Sequence, residues 1–388
     1  MRFVKVSRIN SNGVFIGASE IVFIAFPMVS MIILNLFLTT AQYGELVYSS
    51  TLCSFYLMFV VFGIDILGSR FIHESENPIN VYCEITIFKG INFVIGLIPF
   101  IGILYALDTL QDTILFLPMV VSEVFGLAVY FLGLNSAVSL FNYRLASKGI
   151  GVMSLILFLV VGLGPLSYPM SLFCTMILDI VLFTYVIRGA SNIMYDRKKY
   201  CHYLRESWPL AGSSMLVLGV SGGARLYVGS VFGSATLGLF DIFERVIRGF
   251  KVVQVVYNKY LVTVITDSYR DMKKYLRISL LINISLILPL YLIFYQILPL
   301  FLKPKDFSEV MQFVHLIPTV LWVGLSQYMS FLLAIIRRKS MYQLVSLLAG
   351  FGVFYMCIWF IDFRSVDTMI YFINFQEITV LFFLSVVI

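Results

Sequence analysis

The feature that most constrains this chain is a succession of long apolar runs separated by short polar segments. They fill almost all of its 388 residues. A bilayer core needs about 20 apolar residues per helical span, and only 12% of the residues are charged, against about 25% in an ordinary soluble domain. The runs cover Gly13 to Leu38, Leu46 to Leu67, Gly90 to Leu107, Ile114 to Leu134, Gly149 to Leu163 and Tyr168 to Ile187. The second half repeats the pattern with Pro209 to Phe232, Leu237 to Ile265, Ile278 to Leu302, Val310 to Ile336, Tyr342 to Ile361 and Thr368 to Ile388. The spacing predicts about 12 transmembrane helices, an all-α membrane protein, and leaves no room for a sizeable soluble catalytic module. The first run is longer than a signal-peptide core and is read as a retained helix.

The loop charges agree with that alternation. Arg2, Lys5 and Arg8, then Arg70 and Lys89, Arg144 and Lys148, the group Arg188, Arg197, Lys198, Lys199 and Arg205, the group Arg270, Lys273, Lys274 and Arg277, and finally Arg337, Arg338 and Lys339 fall on one side. The opposite loops hold Lys303, Lys305 and Arg364. Basic residues collect in cytoplasmic loops, so both termini are expected in the cytoplasm, and the formal net charge of +6 needs no nucleic-acid partner. The longest expected connections, Gly68 to Lys89 and Arg188 to Trp208, are on the same inner side. The halves 1–194 and 195–388 are expected to form two six-helix bundles in the same orientation, the parallel type of transporter repeat. At the offset between them Gly44 meets Gly238. The five cysteines lack metal-ligand spacing and are read as apolar filler, with no metal site.

An ionisable group inside a bilayer marks a cavity or a partner. The acids assigned to spans are Glu20, Asp65, Glu123, Asp179, Asp241, Glu244 and Glu377, and the bases are Arg225, Arg245, Arg248, Lys251 and Lys259. On this reading every intramembrane base lies in the second half. In the eighth run, Asp241, Glu244, Arg245, Arg248, Lys251 and Lys259 share one helical face, and Asp241 with Arg245 and Glu244 with Arg248 have the favourable i,i+4 order. That face either lines a water-filled cavity or satisfies itself by pairing. Arg225 follows Ser221, Gly222 and Gly223, which reads either as a broken helix at a binding site or as a small-residue packing face with Arg225 paired to an acid such as Glu377. Asp65, Glu123, Asp179 and Glu377 are candidates for proton or sodium coupling, the one cofactor-like role expected.

Ala41-Gln42-Tyr43-Gly44 after the first run, Phe62-Gly63-Ile64-Asp65 with Gly68-Ser69-Arg70 closing the second, and Phe232-Gly233-Ser234-Ala235-Thr236-Leu237-Gly238-Leu239-Phe240 joining the seventh and eighth complete the pattern. Together with the twelve-run layout it resembles the multidrug/oligosaccharidyl-lipid/polysaccharide exporter superfamily, and within it the O-antigen flippases of bacterial inner membranes. Leu239-Phe240 departs from the family by lacking a Tyr after the Gly. The resemblance implies a MATE-like pair of six-helix bundles, alternating access, and transport of an undecaprenyl-pyrophosphate-linked glycan from the cytoplasmic to the periplasmic leaflet. It also implies a polymerase and a chain-length regulator as partners beside the lipid bilayer. A diphosphate needs cations, so Arg225, Arg245, Arg248 and Lys251 are the expected diphosphate ligands, with Gln254, Asn258 and Gln327 available to sugar hydroxyls. A drug or cation antiporter of the same superfamily is the second reading. A polytopic polysaccharide polymerase is the third, disfavoured by the short outer loops. No nucleotide-binding Gly-Lys motif occurs in an inner loop, and no enzymatic activity is expected.

Overall fold

A computed structural model describes residues 11–190, 197–264, 269–297, 311–331, 340–360 and 366–387. The described residues are helical throughout, without a strand. In chain order the α-helices are α1 (Ser11–Phe37), α2 (Thr40–Val61), α3 (Ile64–His73), α4 (Pro78–Ala106), α5 (Leu110–Ile114), α6 (Leu117–Phe125), α7 (Ala128–Gly133) and α8 (Ala137–Val161). They continue as α9 (Ser167–Val186), α10 (Arg197–Phe232), α11 (Ser234–Val264), α12 (Tyr269–Leu292), α13 (Thr319–Phe331), α14 (Ser340–Phe360) and α15 (Val366–Val387).

Among the described residues nine helical segments are long and apolar enough to cross a membrane, and two shorter apolar helices lie at Phe313–Ser326 and Val345–Met356. With α11, which is 31 residues long and carries the charged face, these match the twelve predicted runs one for one. Long helices are the only open-chain solution here, because every backbone polar group in the hydrocarbon must be satisfied within its own segment. The chain is a multi-pass membrane protein.

The chain divides into two compact units. The first holds residues Met1–Leu38 and Ser49–Met215, the second Thr39–Tyr48 and Leu216–Ile388. The division therefore falls inside α10 rather than at residue 194, and the start of α2 groups with the second unit. The N-terminal part of α10 groups with the first unit through polar side chains. Lys199 pairs with Glu84, the Tyr203 hydroxyl donates to Glu84 at 3.0 Å, and that of Tyr200 donates to Asn92 at 2.8 Å. In the first unit α1 packs on α8, α8 and α6 on α9, and α3 on α7. In the second, α15 packs on α14 and α13, and α13 on α11 and α12.

Two predicted runs are broken helices. The second run divides at Phe62 and Gly63, both left-handed with φ of 45° and 73°, to give α2 and α3. Glycine is required at position 63 twice over: its φ is positive, and a Cβ would meet the backbone nitrogen of Ala211 at 2.7 Å. The fourth run divides into α6 and α7 at Gly126, where the buried Tyr82 hydroxyl donates to the carbonyls of Phe125 at 3.0 Å and Gly126 at 3.3 Å. A side chain thereby satisfies carbonyls that the broken helix leaves free.

The inner connection expected between Gly68 and Lys89 is mostly helix, since α3 runs to His73 and α4 begins at Pro78. Lys89 is thus no loop residue, and its side chain is 2% exposed. Arg144 is likewise within α8 and donates to Glu20 at 2.8 Å. The first half therefore does carry bases at membrane level. They escaped the hydropathy reading because it scores a charged side chain as polar whether or not a partner meets it.

Replacing Gly63 by Ala is expected to lower thermal stability in detergent by at least the about 1–2 kcal/mol that a left-handed L-residue costs. An unchanged melting temperature would contradict the role given to the α2–α3 break.

Candidate functional site

The second unit contains a continuous charge network built by α10, α11 and the first turns of α2. Two successive turns of α11 present Asp241, Glu244, Arg245 and Arg248 on the same side. The Nε of Arg245 donates to Asp241 Oδ2 at 2.6 Å, and Nη2 of Arg248 donates to Glu244 Oε1 at 2.7 Å. Both predicted i,i+4 pairs are thus formed. Arg225 of α10 ties them together: its Nε donates to Glu244 Oε2 at 2.7 Å and its Nη2 lies 3.2 Å from Asp241 Oδ1. The Tyr43 hydroxyl adds a further bond to Asp241 Oδ2 at 2.5 Å.

Burial grades along this network. Asp241 is fully buried and the side chain of Arg225 is 10% exposed, whereas that of Arg248 is 48% exposed. A buried carboxylate needs such partners, because removing one side of a buried pair costs about 3–5 kcal/mol. Among the described residues three guanidinium groups meet two carboxylates in this network, and its exposed end is the Arg248 end. The arrangement offers fixed N–H donors and surplus positive charge to an anion.

Of the two readings of the Ser221-Gly222-Gly223 stretch, the structure takes the packing one. α10 runs unbroken through it, and a Cβ on Gly223 would collide with the Tyr355 hydroxyl of α14, which donates to the Gly219 carbonyl at 2.9 Å. Arg225 is paired with Asp241 and Glu244, not with Glu377. Glu377 sits part-buried on α15, next to the buried Gln376. Gln254 is wholly buried, and its amide donates to the Val320 carbonyl of α13 at 2.8 Å. It is an interhelical tie, which separates it from the expected sugar contacts. The side chains of Lys251, Lys259, Asn258 and Gln327 lie outside the described residues.

The first unit gathers the acids expected for ion coupling. Asp65 Oδ1 lies 2.5 Å from Lys89 Nζ, which also donates to the Glu123 carbonyl oxygen at 3.1 Å. Asp179, 2% exposed, accepts hydrogen bonds from Ser122 and from Tyr143, the latter at 2.8 Å. Ser122 neighbours Glu123 on α6, so α6 links the Asp65–Lys89 pair, through the Glu123 carbonyl, to Asp179, through the Ser122 hydroxyl. The two units therefore carry clusters of opposite sign, acid-rich in the first and cation-rich in the second. Four participants were absent from the sequence-based site list: Lys89, Ser122, Tyr143 and Tyr43. Tyr43 did stand in a quoted motif. No group of three or more His, Cys, Asp or Glu with metal-ligand geometry occurs among the described residues.

No protein-family model and no curated protein matches the chain. Its fold does match solved transporters of the superfamily suggested by the motifs. A multidrug resistance MATE family transporter of the MOP superfamily in an inward-facing conformation is 13% identical, with a TM-score of 0.66 over 93% of this chain and 92% of that one. An outward-facing conformation of a transporter described in the same words is 14% identical, with a TM-score of 0.61 over 96% and 92%. A MATE protein in a bent conformation is 13% identical, with a TM-score of 0.56 over 97% and 95%. The chain has the MATE transporter fold along essentially its whole length.

Replacing Lys89 by Met leaves Asp65 without its cation and is expected to destabilise the first unit by about 3–5 kcal/mol. Adding Asp65→Asn should recover most of that loss. Thermal melts of the two variants in detergent check this, and equal stabilities would contradict the ion pair's role.

Proposed function

We propose that the protein is a lipid-linked oligosaccharide flippase that moves undecaprenyl-pyrophosphate-linked O-antigen or polysaccharide repeat units across a bacterial inner membrane by alternating access. The observation that carries this reading is the cation-rich network of Arg225, Arg245 and Arg248, with positive charge in excess of Asp241 and Glu244 and an exposed end at Arg248. A diphosphate carries the complementary charge and the oxygens to accept fixed N–H donors. A cationic drug meets the wrong sign there. Lys251 extends the basic face of α11 by position. Translocation runs from the cytoplasmic to the periplasmic leaflet, and a polymerase and a chain-length regulator are the proposed partners.

The acid-rich cluster of the first unit supports coupling to protons or sodium, with Asp65, Glu123 and Asp179 as the carriers and Glu377 of the second unit as a further candidate. A carboxylate that loses its charge by protonation or cation binding no longer resists a low-dielectric passage. The same cluster, with the multidrug transporters whose fold the chain shares, favours the second reading, a cation antiporter. In that case the acids of the first unit would hold the drug.

Deleting the gene in its host separates these readings. The flippase reading expects loss of surface polysaccharide and accumulation of lipid-linked repeat units on the inner leaflet. Unchanged glycan with altered cation efflux would overturn it. Complementation with Arg248→Ala should fail in spite of normal insertion and melting, because its exposed pair adds at most about 1 kcal/mol to stability. The lost charge-assisted bond should weaken diphosphate binding about 10- to 100-fold. Binding of farnesyl diphosphate and of inorganic pyrophosphate to the purified protein then distinguishes a lipid anion from a free one. Tighter binding of the prenyl form is expected.

A further inference from the structure

Asp241 takes part in two things at once: the arginine network and a helix crossing. The first turns of α2 lie against the start of α11 at two glycines, Gly44 and Gly238. A Cβ on Gly238 would stand 2.5 Å from the Thr40 carbonyl oxygen, and a Cβ on Gly44 would stand 3.1 Å from the Gly238 backbone nitrogen while colliding with the Ser234 carbonyl. The two helices therefore touch backbone to backbone, a contact that no side chain cushions. Tyr43, one residue before Gly44, is 1% exposed and places its hydroxyl on Asp241. Further along the same face Gly229 of α10 faces Tyr48 and Leu237.

The tyrosine and Arg245 share one carboxylate oxygen, Oδ2, and Arg225 faces the other. Among the described residues Arg225 and Arg245 are the ion-pair partners of Asp241. They are also the cations that the proposed substrate would engage. An anion entering at the exposed Arg248 competes with the carboxylates for these guanidinium groups, and a diphosphate brings more charge than either side chain. Once Arg225 and Arg245 turn to the diphosphate, Asp241 is a fully buried carboxylate held by a phenol alone. A buried charge without a cation is strongly disfavoured. Moving the start of α2 off α11 would let water reach it.

We infer that Asp241 is a substrate-operated release: a diphosphate drawn to Arg225 and Arg245 detaches Tyr43 from Asp241 and opens the Gly44–Gly238 crossing. This rests on the anionic-substrate reading above and adds to it how occupancy of the site changes the shape of the second unit. α2 is one unbroken helix, Thr40–Val61, whose residues up to Tyr48 group with the second unit and those from Ser49 with the first. Asp241 acts here as a positioning residue, and the glycines make the closed crossing an all-or-none contact instead of a compressible one.

The test is a distance measurement by pulsed electron–electron resonance. Spin labels are placed at the exposed positions 45 and 235, using Glu45→Cys and Ala235→Cys after replacing the native cysteines by Ser. Calorimetric binding is measured on the same samples. Titration with inorganic pyrophosphate, and in parallel with farnesyl diphosphate, should lengthen the label separation as the site fills. Tyr43→Phe keeps the ring and removes the bond, so it should lengthen the separation without any anion and bind diphosphate at least as tightly as the parent. Asp241→Asn removes the buried charge that drives the opening, so it should show no lengthening on titration. Binding with an unchanged separation in the parent, or an unchanged separation in Tyr43→Phe, overturns the release and leaves the anion site standing. Absence of binding overturns the anionic-substrate reading and the release with it.

Discussion

The constraint on which this structure depends is the cost of holding charge at membrane level. An ionised side chain there needs a partner, and the helices bring one to Asp241, Glu244, Asp65 and Glu20. Asp241 illustrates the solution: fully buried, it is held by Arg225 from α10, Arg245 from its own helix and Tyr43 from α2. Lys89 and Asp65 solve the same problem in the first unit. Because one unpaired buried charge costs several kcal/mol, comparable to a large part of a protein's net stability, these networks dictate which helices lie together. Their composition in turn decides what each unit can attract.

The two units resolve the constraint with opposite surpluses. In the first unit Lys89 pairs with Asp65 while Ser122 and Tyr143 hold Asp179, and in the second three arginines surround Asp241 and Glu244. The fold alone does not choose between an anionic lipid and a cationic drug. The charge balance in the second unit, which can be counted atom by atom, is what tips the proposal toward the diphosphate.

Much of this was legible in the amino-acid order, for reasons that can be stated residue by residue. The twelve runs were readable because a hydrocarbon core imposes a length on every span, and the structure matches them one for one. Asp241–Arg245 and Glu244–Arg248 were readable because a helix brings i and i+4 together whatever else it packs against. What could not be read were contacts between segments far apart in sequence. Lys89 and Arg144 scored as loop residues, since nothing local reveals that Asp65 and Glu20 await them. Arg225 was left between two readings until Asp241 and Glu244 were seen to claim it. The Gly44–Gly238 coincidence, weak as evidence for an internal repeat, turned out to be a packing contact. The tie from Gln254 to the Val320 carbonyl was not legible, because a polar residue facing a cavity and one tying two helices look alike in a sequence.

Recognition of a lipid-borne diphosphate by the second unit, as proposed above, can be measured in proteoliposomes. A fluorescent prenyl-diphosphate sugar is incorporated in both leaflets, and the rate at which inner-leaflet probe reaches an external quencher is followed with and without the protein. The account predicts protein-dependent translocation of the diphosphate lipid and none of an otherwise identical lipid with a neutral linkage. Equal rates for both lipids, or no translocation of either with uptake of an organic cation against a proton or sodium gradient, would contradict it.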